Sequence, residues 1–130
     1  MAEENVEAVR GFYEQAAVGD FSGLADTSHD FEFITSPELP DAGTYRGEAA
    51  RRWVRNWIAA FEELTIEATE IRGAGETVFV GIVQRGRVPG GEAPIEGRWW
   101  GVYAFRDGEV IRLQLFPERA PALAAAGLRD

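Results

Sequence analysis

The stretch Glu96-Gly-Arg-Trp-Trp-Gly-Val-Tyr-Ala-Phe-Arg106, then Asp107-Gly108, then Glu109-Val-Ile-Arg-Leu-Gln-Leu-Phe116, reads as a β-hairpin. Both arms alternate in side-chain character, and Asp-Gly tolerates the positive φ that a tight two-residue turn demands. One parity of the first arm carries Trp99, Gly101, Tyr103 and Phe105; the other carries Arg98, Trp100, Val102 and Ala104. By strict alternation across the turn, Arg112, Gln114 and Phe116 join the Tyr103 set, while Ile111, Leu113 and Leu115 join the Trp100 set. The first set mixes aromatic bodies with polar tips, which suits the wall of a ligand cavity. The second is nearly all apolar and predicts a docking surface.

Upstream, Thr65–Arg72 and Thr77–Arg87 read as two further strands, with turns at Gly73–Glu76 and Pro89–Gly91. Before them the period changes to helical. Glu3 to about Val18 places Val6, Val9, Phe12, Tyr13 and Ala16 on one face. Glu48 to Leu64 is expected to be the longest helix, with Ala50, Trp53, Val54, Trp57, Ile58 and Phe61 on its apolar side. A short helix is expected from Phe21 to about Thr27, and a brief strand over Phe31–Thr35 that Pro37 ends. Pro37–Gly47 reads as a loop suited to a cavity rim, and the tail from Pro117 to Leu128 as a short helix stopping at Gly127. Helices followed by a run of antiparallel strands make an α+β domain, and one domain is expected over residues 1–130. A long sheet must twist and curl, leaving a conical pocket on its concave side. Its convex side, with Trp100, Val102, Leu113 and Leu115, predicts a homodimer interface.

Composition removes several function classes. The formal charge is −9, and all thirteen cations are Arg. That balance argues against nucleic-acid binding, which needs clustered positive charge. No basic amphipathic face favours a membrane surface, and no apolar run reaches the length of a membrane span. Without Cys or Lys there is no thiol nucleophile, disulfide, Cys-ligated metal or Schiff base. The single His, His29, excludes a multi-His metal site and is read as a loop or helix-end residue. The acidic N-terminus, Met1-Ala-Glu-Glu-Asn5, has no apolar core of the signal-peptide kind, so a cytoplasmic location is expected.

Four segments, in order along the chain, resemble the nuclear-transport-factor-2-like superfamily and specifically its SnoaL-like branch. They are Val9-Arg-Gly-Phe-Tyr13 with Gly19-Asp20, then Asp30-Phe-Glu-Phe33, Gly43-Thr-Tyr-Arg-Gly47, and Phe105-Arg-Asp-Gly-Glu-Val-Ile-Arg112. The resemblance implies a cone-shaped, cystatin-like α+β barrel whose curved antiparallel sheet wraps N-terminal helices. It implies no particular activity, because the fold hosts isomerases, hydrolases, cyclases, dehydratases and non-catalytic domains. The catalytic positions of ketosteroid isomerases match Phe12, Ser36 and Gly101, which can supply neither base nor oxyanion donors. The Asp-Arg-Asp set of limonene-type epoxide hydrolases is also missing, since Val83-Gln-Arg-Gly-Arg87 lacks Asp and the last-strand position is Gln114. No Asp of the polyketide-cyclase kind falls on the inward parity of the hairpin.

The polar groups expected in the cavity are Arg85, Tyr103, Arg112 and Gln114, with Ser36, Glu32 and Tyr13 as further candidates; Arg98 and Arg112 are also read as cross-strand partners of Glu109 and Glu96. The ligand-binding set is Phe12, Trp53, Trp57, Arg85, Trp99, Tyr103, Gln114 and Phe116. An inward Arg85 must meet a carboxylate such as Glu32 or an anionic or carbonyl oxygen of a ligand, because a lone buried charge is costly. The expected function is binding of a small hydrophobic molecule, with no cofactor and no metal. Two alternatives stand beside it: a cofactor-independent isomerase, cyclase or dehydratase acting on a polyketide- or steroid-like carbonyl compound, and a structural dimer whose cone is filled by its own Trp residues.

Overall fold

The Asp107-Gly108 turn forms with both residues at positive φ (53° and 81°), and the two arms around it become the long strands at the centre of a sheet. The structure is a computed structural model that describes residues 2–21, 31–35, 42–91 and 93–129. The described elements are α1 (Ala2–Ala17), β1 (Glu32–Ile34), β2 (Thr44–Arg46), α2 (Glu48–Ala59), β3 (Glu62–Ala74), β4 (Thr77–Arg87), β5 (Ile95–Arg106), β6 (Glu109–Phe116) and α3 (Arg119–Ala125). Residues 22–27 of the expected short helix, His29, Ser36 and residues 37–41 of the expected rim loop lie outside the described residues.

The fold class is α+β, with the strands ordered β2-β1-β6-β5-β4-β3 in one curved, unclosed sheet. The sheet is mixed, because β1 runs parallel to β6 while every other pairing is antiparallel. Part of the expected rim loop is itself a strand, β2, which pairs with β1 at the edge. On the concave side α1 packs through Val9, Tyr13 and Ala16, spaced as one helical face. The backbone of α2 lies close to β2, and its long side chains bridge to the inner core.

Three boundaries or placements depart from the sequence reading. First, α2 ends at Ala59 and β3 starts at Glu62, which pairs with Arg87. The reason is burial by alternation: Leu64 and Ile66 both reach the core from an extended backbone, with Glu63 at φ 54° absorbing a register irregularity. Second, α3 lies on the outer face of the sheet. Ala122, Leu123 and Ala126 cover Phe79 and Val102, with Trp100, Phe116 and Leu128 packed around them. Arg119 clamps this helix by two bonds to the Glu70 carboxylate, at 3.0 and 2.8 Å, with its guanidinium 5.7 Å above the Phe79 ring. The apolar face expected to seek a partner is therefore partly covered by the chain's own C-terminal helix.

Third, the inward parity of β6 is reversed. Phe105 pairs with Val110, but Ala104 pairs with Arg112, so Ile111 is an extra, bulged residue. A bulge of one residue exchanges every side chain beyond it between the two faces. Leu113 and Leu115 consequently point into the inner core and Phe116 joins the outer cluster. Gly101 makes room for this arrangement. A Cβ there would lie 3.2 Å from Leu113 Cδ1 and 3.3 Å from Val80 Cγ1.

Candidate functional site

Between the concave face, α1 and α2 lies a cavity of about 90 Å³. It is lined by Phe12 and Tyr13 from α1, Tyr103 from β5, and by Phe33, Ile66, Ile82, Trp99, Leu113 and Leu115. Trp53, Val54, Trp57 and Ile58 of α2 line the remaining side and are each partly exposed, so the cavity reaches solvent beside this helix. The Trp53 and Trp57 rings stack with centroids 5.5 Å apart and 7° between planes, and Phe33 meets Trp53 at 4.8 Å. The spacing of one helical turn puts both indoles on the same face of α2.

The lining is apolar except at two places. At the first the hydroxyls of Tyr13 and Tyr103 are 2.7 Å apart, with the two residues only 4% and 3% exposed. Two phenols carry two hydrogens, and one bond between them uses one. The other hydrogen has no acceptor among the described residues. Burial, followed by the neighbouring Tyr103, pushes the Tyr13 hydroxyl well above the ordinary tyrosine range. Burial also pushes Tyr103 up, against a smaller opposing effect of its bond to Tyr13. Both phenols are therefore neutral donors at physiological pH and poor proton shuttles.

The second polar place is Gln84, 8% exposed, whose Oε1 accepts a 2.8 Å bond from Trp57 Nε1. Indole nitrogen only donates, so the carbonyl end of the amide is committed to it and the amide nitrogen is left without a partner among the described residues.

Of the ligand set read from the sequence, Phe12, Trp53, Trp57, Trp99 and Tyr103 line this cavity, whereas Arg85, Gln114 and Phe116 do not. Arg85 is exposed on the outer face, bonded to Glu96 at 2.9 Å with Glu67 at 3.9 Å. Its bond holds the Glu96 carboxyl below the usual carboxylate range. The cause of this misplacement is not a bulge, since β4 and β5 pair without interruption. The run Val78-Phe-Val-Gly-Ile-Val83 is apolar on both faces, because both are covered, and it carries no alternation from which to count. Gln84 is the inward neighbour that this counting missed. Gln114 sits beside Val102 on the outer side, displaced by the Ile111 bulge, and Phe116 packs with α3 for the same reason. Arg112 is exposed. Glu32, adjacent to the inward Phe33, points away from the cavity and pairs with Arg46 at 2.8 Å. Among the described residues, no carboxylate or imidazole lines the cavity, and no group of side chains is placed to hold a metal ion.

The family model of the SnoaL-like domain matches residues 9–113. The fold is similar to that of a nuclear-transport-factor-2-like protein from Burkholderia xenovorans, at 30% identity and TM-score 0.66, covering 97% of each chain. It is also similar to a protein with a ketosteroid isomerase-like fold from Catenulispora acidiphila, solved in complex with trimethylamine, at 20% identity and TM-score 0.70, covering 95% of this chain and 94% of that one. A third similar structure is TerC crystallised with polyporic acid, at 18% identity and TM-score 0.70, covering 95% of this chain and 97% of that one. No curated protein sequence matches this one.

Proposed function

Because this chain belongs to the SnoaL-like domain family, of nuclear-transport-factor-2-like fold, we propose that it binds a small hydrophobic molecule bearing an acceptor oxygen in the cavity between its sheet and α2. The observation that carries this reading is the spare hydroxyl hydrogen of the Tyr13–Tyr103 pair, buried on the lining of an apolar cavity. A buried donor left unpaired costs about 1–3 kcal/mol, which an acceptor on a ligand would recover. Water is a poor substitute, since a buried water commonly needs two to four polar partners and the described lining is apolar apart from the phenol pair and Gln84. Two proteins of similar fold hold small organic molecules, trimethylamine in one and polyporic acid in the other. Binding is favoured over catalysis because the only titratable groups on the described lining are two phenols that burial keeps protonated.

The test compares acetophenone with ethylbenzene, which have similar bodies and differ in the carbonyl. Titration calorimetry is expected to show acetophenone binding about tenfold more tightly, the worth of one well-shielded hydrogen bond. Equal affinities would remove the phenol pair from the site. The volume of about 90 Å³ favours a second reading, a cone filled by its own aromatic side chains, because it is smaller than the apolar void of about 150 Å³ that is known to hold a benzene ring. That reading predicts that neither compound binds.

A homodimer through the outer face belongs to the same proposal. The area beyond α3 carries Glu67, Arg85, Glu96 and Arg98, linked by ion pairs within one chain. A two-fold axis there would set Arg85 of one copy against carboxylates of the other, a self-complementary arrangement. Arg85→Glu is expected to convert the dimer to monomer in sedimentation velocity. A wild-type monomer, or a dimer indifferent to the substitution, would place the interface elsewhere or remove it.

A further inference from the structure

The two helices that flank the cavity are held very differently. On α1 the residues Asn5, Val9, Tyr13 and Ala16 are all buried, and its backbone packs closely along β3 and β4. On α2 Ala50 alone is buried, and its close backbone neighbours are chiefly on the short edge strand β2. The large apolar residues of α2, Trp53, Val54, Trp57 and Ile58, line the cavity while each is partly exposed. An element with few buried apolar contacts opens at lower free energy than the rest of a fold. Both ends of α2 are anchored. The Gly47 N–H bonds to the Phe31 carbonyl at 2.7 Å, and Phe61 lies so close to β4 that a Cβ on Gly86 would stand 3.2 Å from its own Cβ. Residues at positive φ, Gly47 (55°) and Glu63 (54°), mark the turns at these two ends. Between the anchors, Trp57 Nε1 joins α2 to β4 by its 2.8 Å bond to Gln84 Oε1.

We infer that α2 is a lid over the cavity, latched shut by the hydrogen bond between Trp57 and Gln84. This rests on the binding proposed above for its purpose, and names the way in. The closed volume of about 90 Å³ is below the apolar void of about 150 Å³ known to hold benzene. A ligand with a ring therefore needs one wall displaced. The remaining walls are sheet strands and the buried face of α1, so α2 is the wall that yields. Its ion pair between Glu48 and Arg55, at 2.7 Å, lies within the helix and travels with it. When α2 lifts, water takes the place of Gln84 at the indole nitrogen, so removing either partner destabilises the closed state alone. Trp57 and Gln84 are thus positioning residues. They set the fraction of open molecules, and apparent affinity for a ring-bearing ligand scales with that fraction.

Amide hydrogen exchange on the ligand-free chain tests the lid. In the wild type, the amides of residues 53–59 are expected to exchange about 100-fold faster than those of residues 9–13 on α1. Gln84→Met and Trp57→Phe break the latch from opposite sides. Each is expected to speed exchange in α2 about five- to tenfold, the worth of one hydrogen bond, while α1 and β5 change less than about twofold. Stopped-flow mixing with acetophenone, read by tryptophan fluorescence, is expected to show faster association in Gln84→Met by the same factor. Exchange in α2 as slow as in α1 would overturn the inference. So would latch variants that leave α2 unchanged or that speed α1, α2 and β5 alike. The wild-type comparison needs no variant, so a chain that fails to fold still leaves the outcome decided. If the variants speed α2 alone but neither acetophenone nor ethylbenzene binds, the binding proposal fails and the latched lid stands. If acetophenone binds at a rate that neither variant moves, α2 is not the way in and the inference falls while the binding proposal survives.

Discussion

Replacing Tyr103 by Phe is expected to cost about 1–3 kcal/mol of stability, because it leaves the Tyr13 hydroxyl buried without its partner. Tyr13→Phe should cost a similar amount. The double variant Tyr13→Phe/Tyr103→Phe should cost clearly less than the sum, since removing both members of a buried hydrogen-bonded pair leaves nothing unsatisfied. Binding should follow a different order. Either single variant retains one hydroxyl and therefore some preference for acetophenone over ethylbenzene, whereas the double variant should bind the two equally, a loss of about tenfold in discrimination. Urea unfolding and titration calorimetry on the four proteins check both patterns. Additive stability losses would show that the two hydroxyls do not act as a pair.

The same pair sets an alkaline limit. Both hydroxyls are raised above the ordinary tyrosine value by burial, so the folded chain keeps protons that the unfolded chain loses above about pH 10. Where the unfolded state binds fewer protons, stability falls as pH rises. Below that pH the pair adds no slope. Above it the wild type should lose about 1.4 kcal/mol per pH unit for each of the two hydroxyls until the folded groups themselves ionise. The double Phe variant should lack this slope, and a wild type with the same pH profile as that variant would refute the buried, neutral state of the phenols.

Trp57→Ala carries the other large expected effect. Truncating a buried aromatic costs about 3–5 kcal/mol, and the partly exposed Trp57 belongs at the low end, near 3 kcal/mol. The loss has two sources. One is the stack on Trp53 together with the edge contact to Phe61 at 5.3 Å. The other is the Gln84 carbonyl, which loses its only indole donor. The cavity should enlarge at its solvent side, and a two-ring ketone such as 2-acetylnaphthalene should bind more tightly to the variant than to the wild type by about tenfold or more, since most of the ring's displacement cost is removed in advance. Gain of affinity alongside loss of stability is the diagnostic combination. A variant that is destabilised but binds 2-acetylnaphthalene no better would show that Trp57 does not bound the ligand space.

Leu115, Arg85 and Gln84 show where reading the chain in one dimension stops. The hairpin, its Asp107-Gly108 turn, the α1 face of Val9, Tyr13 and Ala16, and the inward placement of Trp99 and Tyr103 all rest on local periodicity, which is written residue by residue. The faces of β4 and β6 do not. In β4 both faces are buried, one by the inner core and one by α3, so Val78–Val83 is apolar throughout and its parity is invisible. In β6 the Ile111 bulge is set by packing, with Leu113 seated over Gly101, and no turn or composition signal marks it. The bulge exchanged Gln114 for Leu115, whereas in β4 the missing alternation alone hid Gln84 behind Arg85.

The end of α2 and the covering of the outer face have the same origin. Phe61 continues the helical spacing of Trp53, Val54, Trp57 and Ile58, and only the demand that Leu64 and Ile66 reach the core from β3 stops the helix at Ala59. The outer surface of Trp100 and Val102 reads as bare because the residues that cover it, Ala122, Leu123 and Ala126, are distant in sequence and too small to announce a partner. The sequence by itself determined the family, the α+β class and the aromatic content of the cavity, since those depend on short-range pattern and on residue types. Tertiary structure alone decided which polar groups face that cavity, because a side chain's face depends on every bulge and on what packs across it. In this protein that decision removed a charged guanidinium and an outer-face amide, kept the two phenols and added the Gln84 amide nitrogen.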